Sequence, residues 1–397
     1  MALKNTLTET GTGPARRRPR PWAVAAAASS AALLLAACGG GDGDGDGEGG
    51  ATGGAADGES TELVVATMAE AGTVGEAVQN WFVAEVEDRS EGRLTFDVTA
   101  PNSLCPANEI SVCTSDGRAD VGVSIPDYTP QMFPQITVVS VPFVAADQQA
   151  LMQALYDVNH EHEGAMQVWD DNNLTMIAHW SAGRLVMASD EPVESIEDMQ
   201  GLRWRVSGPY LQRAVEAAGG SNVALAAPET YEGIERGVAD AASFALDGMV
   251  AYQLLELLPH YTDPGTGHYN TFGMWFNADV YNDLPEDLRQ IVDEVTTEVN
   301  GGEGTAAFRA VAEEQCTTVM EHENVQSFTR WSEEATQEWQ DLVGEELRTQ
   351  WVSDAEGNGL SDAQSYLDTY MGLLEEYDEG DESDPTLECI DRFASEG

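Results

Sequence analysis

From Glu62 onward the apolar positions of the chain switch repeatedly between two periods. Leu63–Thr67, Leu94–Val98 and Asp120–Ile125 are short runs suited to strands, whereas Val78, Trp81, Phe82 and Val86 share one helical stripe. Leu151, Leu155 and Val158 mark another helix at i, i+4, i+7. The strands Leu174–Ala178 and Leu185–Ala188 bracket "HWSAGR". "GLRWRV" (201–206) reads as a strand, followed by a helix over Pro209–Ala218, a strand over Asn222–Ala226, a helix from Pro228 and a strand over Ala241–Ala245. After Leu284-Pro285, the spacing of Leu288, Ile291, Val292, Val295 and Val299 predicts a strongly amphipathic helix. Most of the remaining chain reads as helix, ending in an acidic run from Glu375 to Asp384. Strands alternating with helices of this length predict an α/β protein with largely parallel sheets. The roughly 337 residues beyond position 60 exceed one compact core and suit two lobes.

The pattern fails at the N-terminus, which carries a different message. Arg16, Arg17, Arg18 and Arg20 precede an apolar run from Ala23 to Leu35, which leads into Leu35-Ala36-Ala37-Cys38. Basic residues, a short apolar core and then small residues describe an export signal, and the run is too short to span a bilayer of about 30 Å. Residues 39–60 alternate Gly and Asp, a flexible charged spacer. An Asp42, Asp44, Asp46 spacing imitates a calcium loop, but its twelfth position is Gly53 rather than glutamate.

Charge sharpens this picture. The chain has 70 acidic and 18 basic residues, and beyond residue 37 every basic residue is an arginine. So acidic a surface repels nucleic acid and anionic lipid, and it suits a high-salt habitat where screening shortens self-repulsion. The lack of lysine after the leader excludes a P-loop and a lysine Schiff base. Of the five cysteines, Cys105, Cys113, Cys316 and Cys389 remain once Cys38 is set aside. In an oxidising compartment they predict two disulfides, Cys105–Cys113 closing a local loop and Cys316–Cys389 tying the tail to a late helix; metal binding is the alternative.

Catalytic signatures are missing: there is no Gly-x-Ser-x-Gly and no His-Glu-x-x-His. In "HEHEG", His160 and His162 sit about 200° apart on a helix and cannot share an ion without distortion. His179 reads equally as a pocket residue or a satisfied strand histidine. No catalytic residue, metal or cofactor is expected.

Five stretches, in order, carry a family resemblance: "DRSEGRLTFDV", "SDGRADVGV", "PQITVVSVPF", "SIEDMQGLRWRV" and "YEGIERGVADAA" with "VYNDLPEDLRQIV" after it. Over residues 62–300 the chain resembles the DctP-type extracytoplasmic solute receptors of TRAP transporters, the third stretch matching a strand (134–143). The Leu-Ala-Ala-Cys motif likewise resembles the lipobox of bacterial lipoproteins, which implies cleavage after residue 37 and lipidation of Cys38. The family resemblance implies a two-lobed periplasmic-binding-protein-like fold with lobe-crossing strands and a long hinge helix. It places lobe I at 61–182 plus about 270–300, lobe II at 183–269, and C-terminal helices (301–397) across both. It further implies no enzyme but a receptor, acting as a monomer, that closes over a small carboxylate and delivers it to a membrane permease. By the family's pattern Arg205 pairs with the ligand carboxylate, Arg184 assists, and Phe244 stands where an amide is common. Tyr128 and Glu70 come from the first lobe, and Trp180 and Trp275 at strand ends complete the candidate site. The cysteine-bearing stretch "LCPANEISVC" departs from the pattern. An ABC-importer receptor, a secreted hydrolase and a surface-display lipoprotein are the competing readings.

Strand alternation puts Arg203 and Arg205 on one sheet face with Trp204 opposite. Position along the strand separates them: Arg205 lies nearer the carboxyl end, where α/β sheets bind ligands, and Arg203 is expected to be structural.

Overall fold

The computed structural model describes residues 60–378 and 384–396. The expected leader, the lipidation site Cys38, the tether up to residue 59 and residues 379–383 of the acidic run lie outside the described residues. Within them the chain builds two mixed β-sheets. Strands β1 (Thr61–Thr67), β2 (Leu94–Val98), β3 (Val121–Ser124) and β4 (Leu174–Ser181) belong to the first. The chain then crosses to the second sheet, built from β5 (Val186–Ser189), β6 (Arg203–Arg205), β7 (Ser221–Asn222), β8 (Ala241–Phe244) and β9 (His260–Asp263). It returns through β10 (Thr271–Asn277), and β11 (Ser327–Arg330) joins the second sheet last. The strand orders are β2-β1-β3-β10-β4 and β11-β9-β5-β8-β6-β7.

The parallel pairs expected from βα alternation are present: β1 with β2 and β3, and β6 with β7 and β8. The sheets are nevertheless mixed, because the strands that cross between lobes run against their neighbours. β10 is antiparallel to β3 and β4, and β5 is antiparallel to β8 and β9. Two linkers therefore form the hinge: residues 182–185 after β4 and 264–270 before β10. Isolated bridges join His268 of the second linker to Ala145 and to Arg184 of the first.

Local chemistry explains most elements. The helix Val74–Arg89 starts where Thr73 accepts the Glu76 N–H, and it buries Val78, Phe82 and Val86 against the first sheet. Three places depart from the sequence pattern. Residues 134–143, which match a family strand, form instead a buried 3-10 turn over Ile136–Ser140. β3 already has β1 and β10 on its two edges, so that sheet has no free edge beside β3. The strand expected over 222–226 shrinks to Ser221–Asn222. A short strand, β11, interrupts the C-terminal region expected to be helical and pairs with β9.

The C-terminal helices tie the lobes together. Helix Glu333–Gly357 reaches the second lobe through Trp339, whose Nε1 donates to Ala214 O at 3.1 Å. It reaches the first through Trp351, whose Nε1 donates to Thr137 Oγ1 at 3.1 Å. Both indoles are fully buried. Cysteines 105 and 113, and 316 and 389, are joined as disulfides, the second anchoring helix Pro385–Glu396 on helix Gly304–Glu321. No helix among the described residues is long and apolar enough to cross a membrane.

Candidate functional site

Where the carboxyl ends of the two sheets face each other, the two lobes leave a narrow cavity lined by residues from both. This is the position at which open α/β sheets bind ligands. Met68 and Glu70 follow β1, and Ile125 follows β3. Arg205 ends β6, with Ser207 just after it, and Phe244 ends β8. Tyr269 and Asn270 come from the hinge, and Asp247 and Tyr252 from the segment after β8.

Arg205 is the centre of this arrangement. It is 1% exposed. Nε donates to Leu225 O and Nη1 to Ser243 O, both at 3.2 Å, and Cζ sits 4.0 Å above the centroid of the Phe244 ring. Among the described residues no carboxylate forms an ion pair with it. A buried charge is costly unless paired and hydrogen-bonded, and two neutral carbonyls compensate only part of that cost. Arg203, two residues earlier, is half exposed and satisfied by Asp240, its Nε donating at 2.9 Å, and by Gly237 O at 2.7 Å. Depth along one strand thus separates an exposed structural ion pair from a buried cation with free capacity.

Two carboxyls share the cavity. Burial pushes Asp247 up to about 7, against the stabilising N–H groups of Gly248 (2.6 Å) and Val74 (3.3 Å). Glu70 is also raised by burial. The walls are aromatic: Phe244, Tyr252, Tyr269 and Phe272. Gly75 lets the Val74–Arg89 helix approach closely, since a Cβ there would fall 2.8 Å from the Phe272 ring.

The structure brings three of the expected site residues, Arg205, Phe244 and Glu70, to the cavity wall. Tyr128 lines an adjoining open groove, and its hydroxyl accepts the Ala227 N–H at 3.2 Å. Trp180 lies behind the wall, fully buried and stacked on Phe272 at 6.1 Å. Trp275 is packed into the first-lobe core against Phe133, at 4.8 Å between centroids, away from the cavity. Arg184 lies in the hinge, where Nε pairs with the buried Asp263 at 3.2 Å. His179 is neither pocket nor satisfied: it is buried between Trp169 and Trp275 without a hydrogen-bond partner among the described residues, and burial lowers it to about 3. The Nδ1 of His160 lies 2.8 Å from Tyr156 O, and the His162 ring caps a helix at Ala165 N, so these two rings serve local structure. The sequence pattern did not single out Ser207, Asp247, Tyr252, Tyr269 and Asn270. All follow strand ends or precede the returning strand, the one signal that could have found them.

Known proteins share this fold. Residues 64–354 match the model of the bacterial extracellular solute-binding proteins, family 7 (DctP). The ectoine-binding periplasmic protein TeaA of Halomonas elongata is 23% identical over 298 residues, covering 71% of this chain and 86% of TeaA. A marine-metagenome TRAP solute-binding protein in complex with 3-hydroxybenzoate superposes with a TM-score of 0.73 at 20% identity, covering 81% of this chain and all of that one. A TRAP solute-binding protein from Rhodoferax ferrireducens with copurified benzoate gives 0.72 at 21% identity, covering 81% and 99%. The chain therefore belongs to family 7 of the bacterial extracellular solute-binding proteins, the DctP family, as an extracytoplasmic TRAP-type receptor rather than an enzyme.

Proposed function

We propose that the interlobe cavity binds a small solute that pairs one carboxylate with a compact ring, and that the receptor hands it to a TRAP membrane permease. The observation that carries this reading is Arg205, a buried guanidinium without a protein carboxylate partner among the described residues, facing a cavity walled by aromatic rings. A guanidinium presents a planar fork that pairs bidentately with a carboxylate. Closing the lobes over that pair links binding to closure, because the pair is buried in the closed form.

The single arginine, together with Asp247 and Glu70 in the same space, favours one carboxylate over two. A second ligand carboxylate would find no second cation in this low-dielectric site. The benzoate and 3-hydroxybenzoate bound by two structural neighbours each join one carboxylate to a flat ring, and such a ring suits these walls. Attachment through a lipid on Cys38, with the glycine- and aspartate-rich spacer lifting a monomeric receptor from the membrane, completes the proposal.

A thermal-shift screen tests it. Purified protein at high salt is heated with organic acids, amino-acid derivatives and compatible solutes. A ligand present at about 100 times its Kd stabilises by about 2.7 kcal/mol. Stabilisation by ring monocarboxylates is the expected result. Stabilisation solely by uncharged solutes or dicarboxylates would overturn the reading.

A further inference from the structure

The cavity does not end in solid protein on every side. A wider groove, open to solvent, adjoins it between the same two lobes. Ser207 lines both spaces, and the 226–228 turn runs along both, with Ala227 facing the cavity and Ala226 and Pro228 facing the groove. Tyr128 stands beside this shared edge. Its ring borders the groove, and its hydroxyl is bonded to Ala227 N on the opposite lobe. The far wall is the loop closed by the Cys105–Cys113 disulfide, which contributes Pro106, Ala107 and Asn108.

Resting on the carboxylate reading above, we propose that Tyr128 is the partition between the cavity and the groove and sets the greatest length of ligand the receptor accepts. The ring contributes the wall. The hydroxyl bond to Ala227 N contributes its position, because it forms across the two lobes and holds the ring in place when they meet. A ligand longer than the cavity has to displace the ring, giving up that cross-lobe bond and the closure it supports. With the ring removed, the groove offers room for a tail against Pro106 and Ala107 while the carboxylate stays on Arg205.

The test uses the full extracytoplasmic chain and a ladder of benzoates bearing meta- or para-alkoxy tails of increasing length, with affinity read by calorimetry. Wild-type protein is expected to bind benzoate and the shortest tails, then to lose affinity at least about tenfold at a definite length. Tyr128→Ala is expected to move that cut-off outward by several carbons, with affinity rising up to about fourfold per added methylene as the tail fills the groove. Tyr128→Phe keeps the ring and is expected to keep the wild-type cut-off, at lower affinity for every member of the ladder. Tyr128→Val is a second ring-removing variant, used if the alanine protein does not unfold cooperatively. An unchanged cut-off in the ring-removing variants would overturn the partition while leaving the carboxylate reading intact. A cut-off relaxed as far by Phe as by Ala would also overturn it. Wild-type protein that binds no member of the ladder overturns both.

Discussion

Asp247 should make the stability of this receptor depend on pH in a way that a single amide replacement removes. The residue is 6% exposed, and burial raises its carboxyl to about 7 against an unfolded value near 3.9. The folded protein thus holds a proton that the unfolded chain has already lost between these values. The stabilisation from this group is fully present below the unfolded value and is lost as pH rises through about 7. The gap between the two values, at 1.36 kcal/mol per pH unit, sets an upper bound of about 4 kcal/mol, reduced in practice because opening of the lobes would wet the carboxyl. Asp247→Asn removes the titration while keeping the shape. The amide gives up one acceptor, since the carboxyl takes the Gly248 N–H on one oxygen and the Val74 N–H on the other. That cost is the same at every pH, so the slope rather than the level reads the titration. The assay is thermal unfolding of both proteins from pH 4.5 to 9 at fixed high salt. Taking the difference cancels the many surface carboxylates. The variant should gain on wild type as pH rises to about 7 and then level off. For the roughly 330 described residues the full effect corresponds to about 6 °C in Tm. A flat difference across this range, or one that falls as pH rises, would refute the reasoning.

Two other perturbations address packing and crosslinking. Gly75→Ala places a methyl against the Phe272 ring, which lines the cavity; the ring should be pushed inward, and ligand affinity should fall about tenfold in calorimetry while the fold persists. Replacing Cys316 and Cys389 together by serine opens a loop spanning 73 residues, which the chain-entropy relation puts at roughly 4 kcal/mol; denaturant titration should show that loss, and the same treatment of Cys105 and Cys113, eight residues apart, should cost less.

The residue pattern revealed much of this fold and some of the site, and the failures have physical causes. Strands such as β1 and β3 are short apolar runs next to capped helices, so the local period identifies them. The 136–140 segment is equally apolar, but what it becomes depends on whether a sheet edge is free, which is a tertiary fact. β11 has four residues, and its parallel partner β9 lies more than sixty residues away. Arg205 was marked by the family's pattern, and position along the strand, which maps onto the crevice in an α/β sheet, set it apart from Arg203. Trp180 and Trp275 were harder: β4 and β10 are buried on both faces, so alternation does not tell which indole approaches the cavity. Arg184 sits next to the hinge in sequence, and its partner Asp263 is 79 residues away, so nothing local marks the ion pair. Asp247 reaches the cavity through a segment after β8, one of many acidic residues until the lobes close around it.

The pairing of a ligand carboxylate with Arg205 is tested most directly by calorimetry of wild type, Arg205→Ala, Arg205→Lys and Arg203→Ala with the best monocarboxylate from the screen. Loss of a charge-assisted bidentate pair should weaken binding by about 100-fold or more in Arg205→Ala. The lysine variant should recover part of that loss, because it restores charge without the fork. Arg203→Ala should stay within about twofold of wild type, since its exposed pair with Asp240 lies outside the cavity. Full affinity in a folded Arg205→Ala protein would contradict the assignment of the cavity.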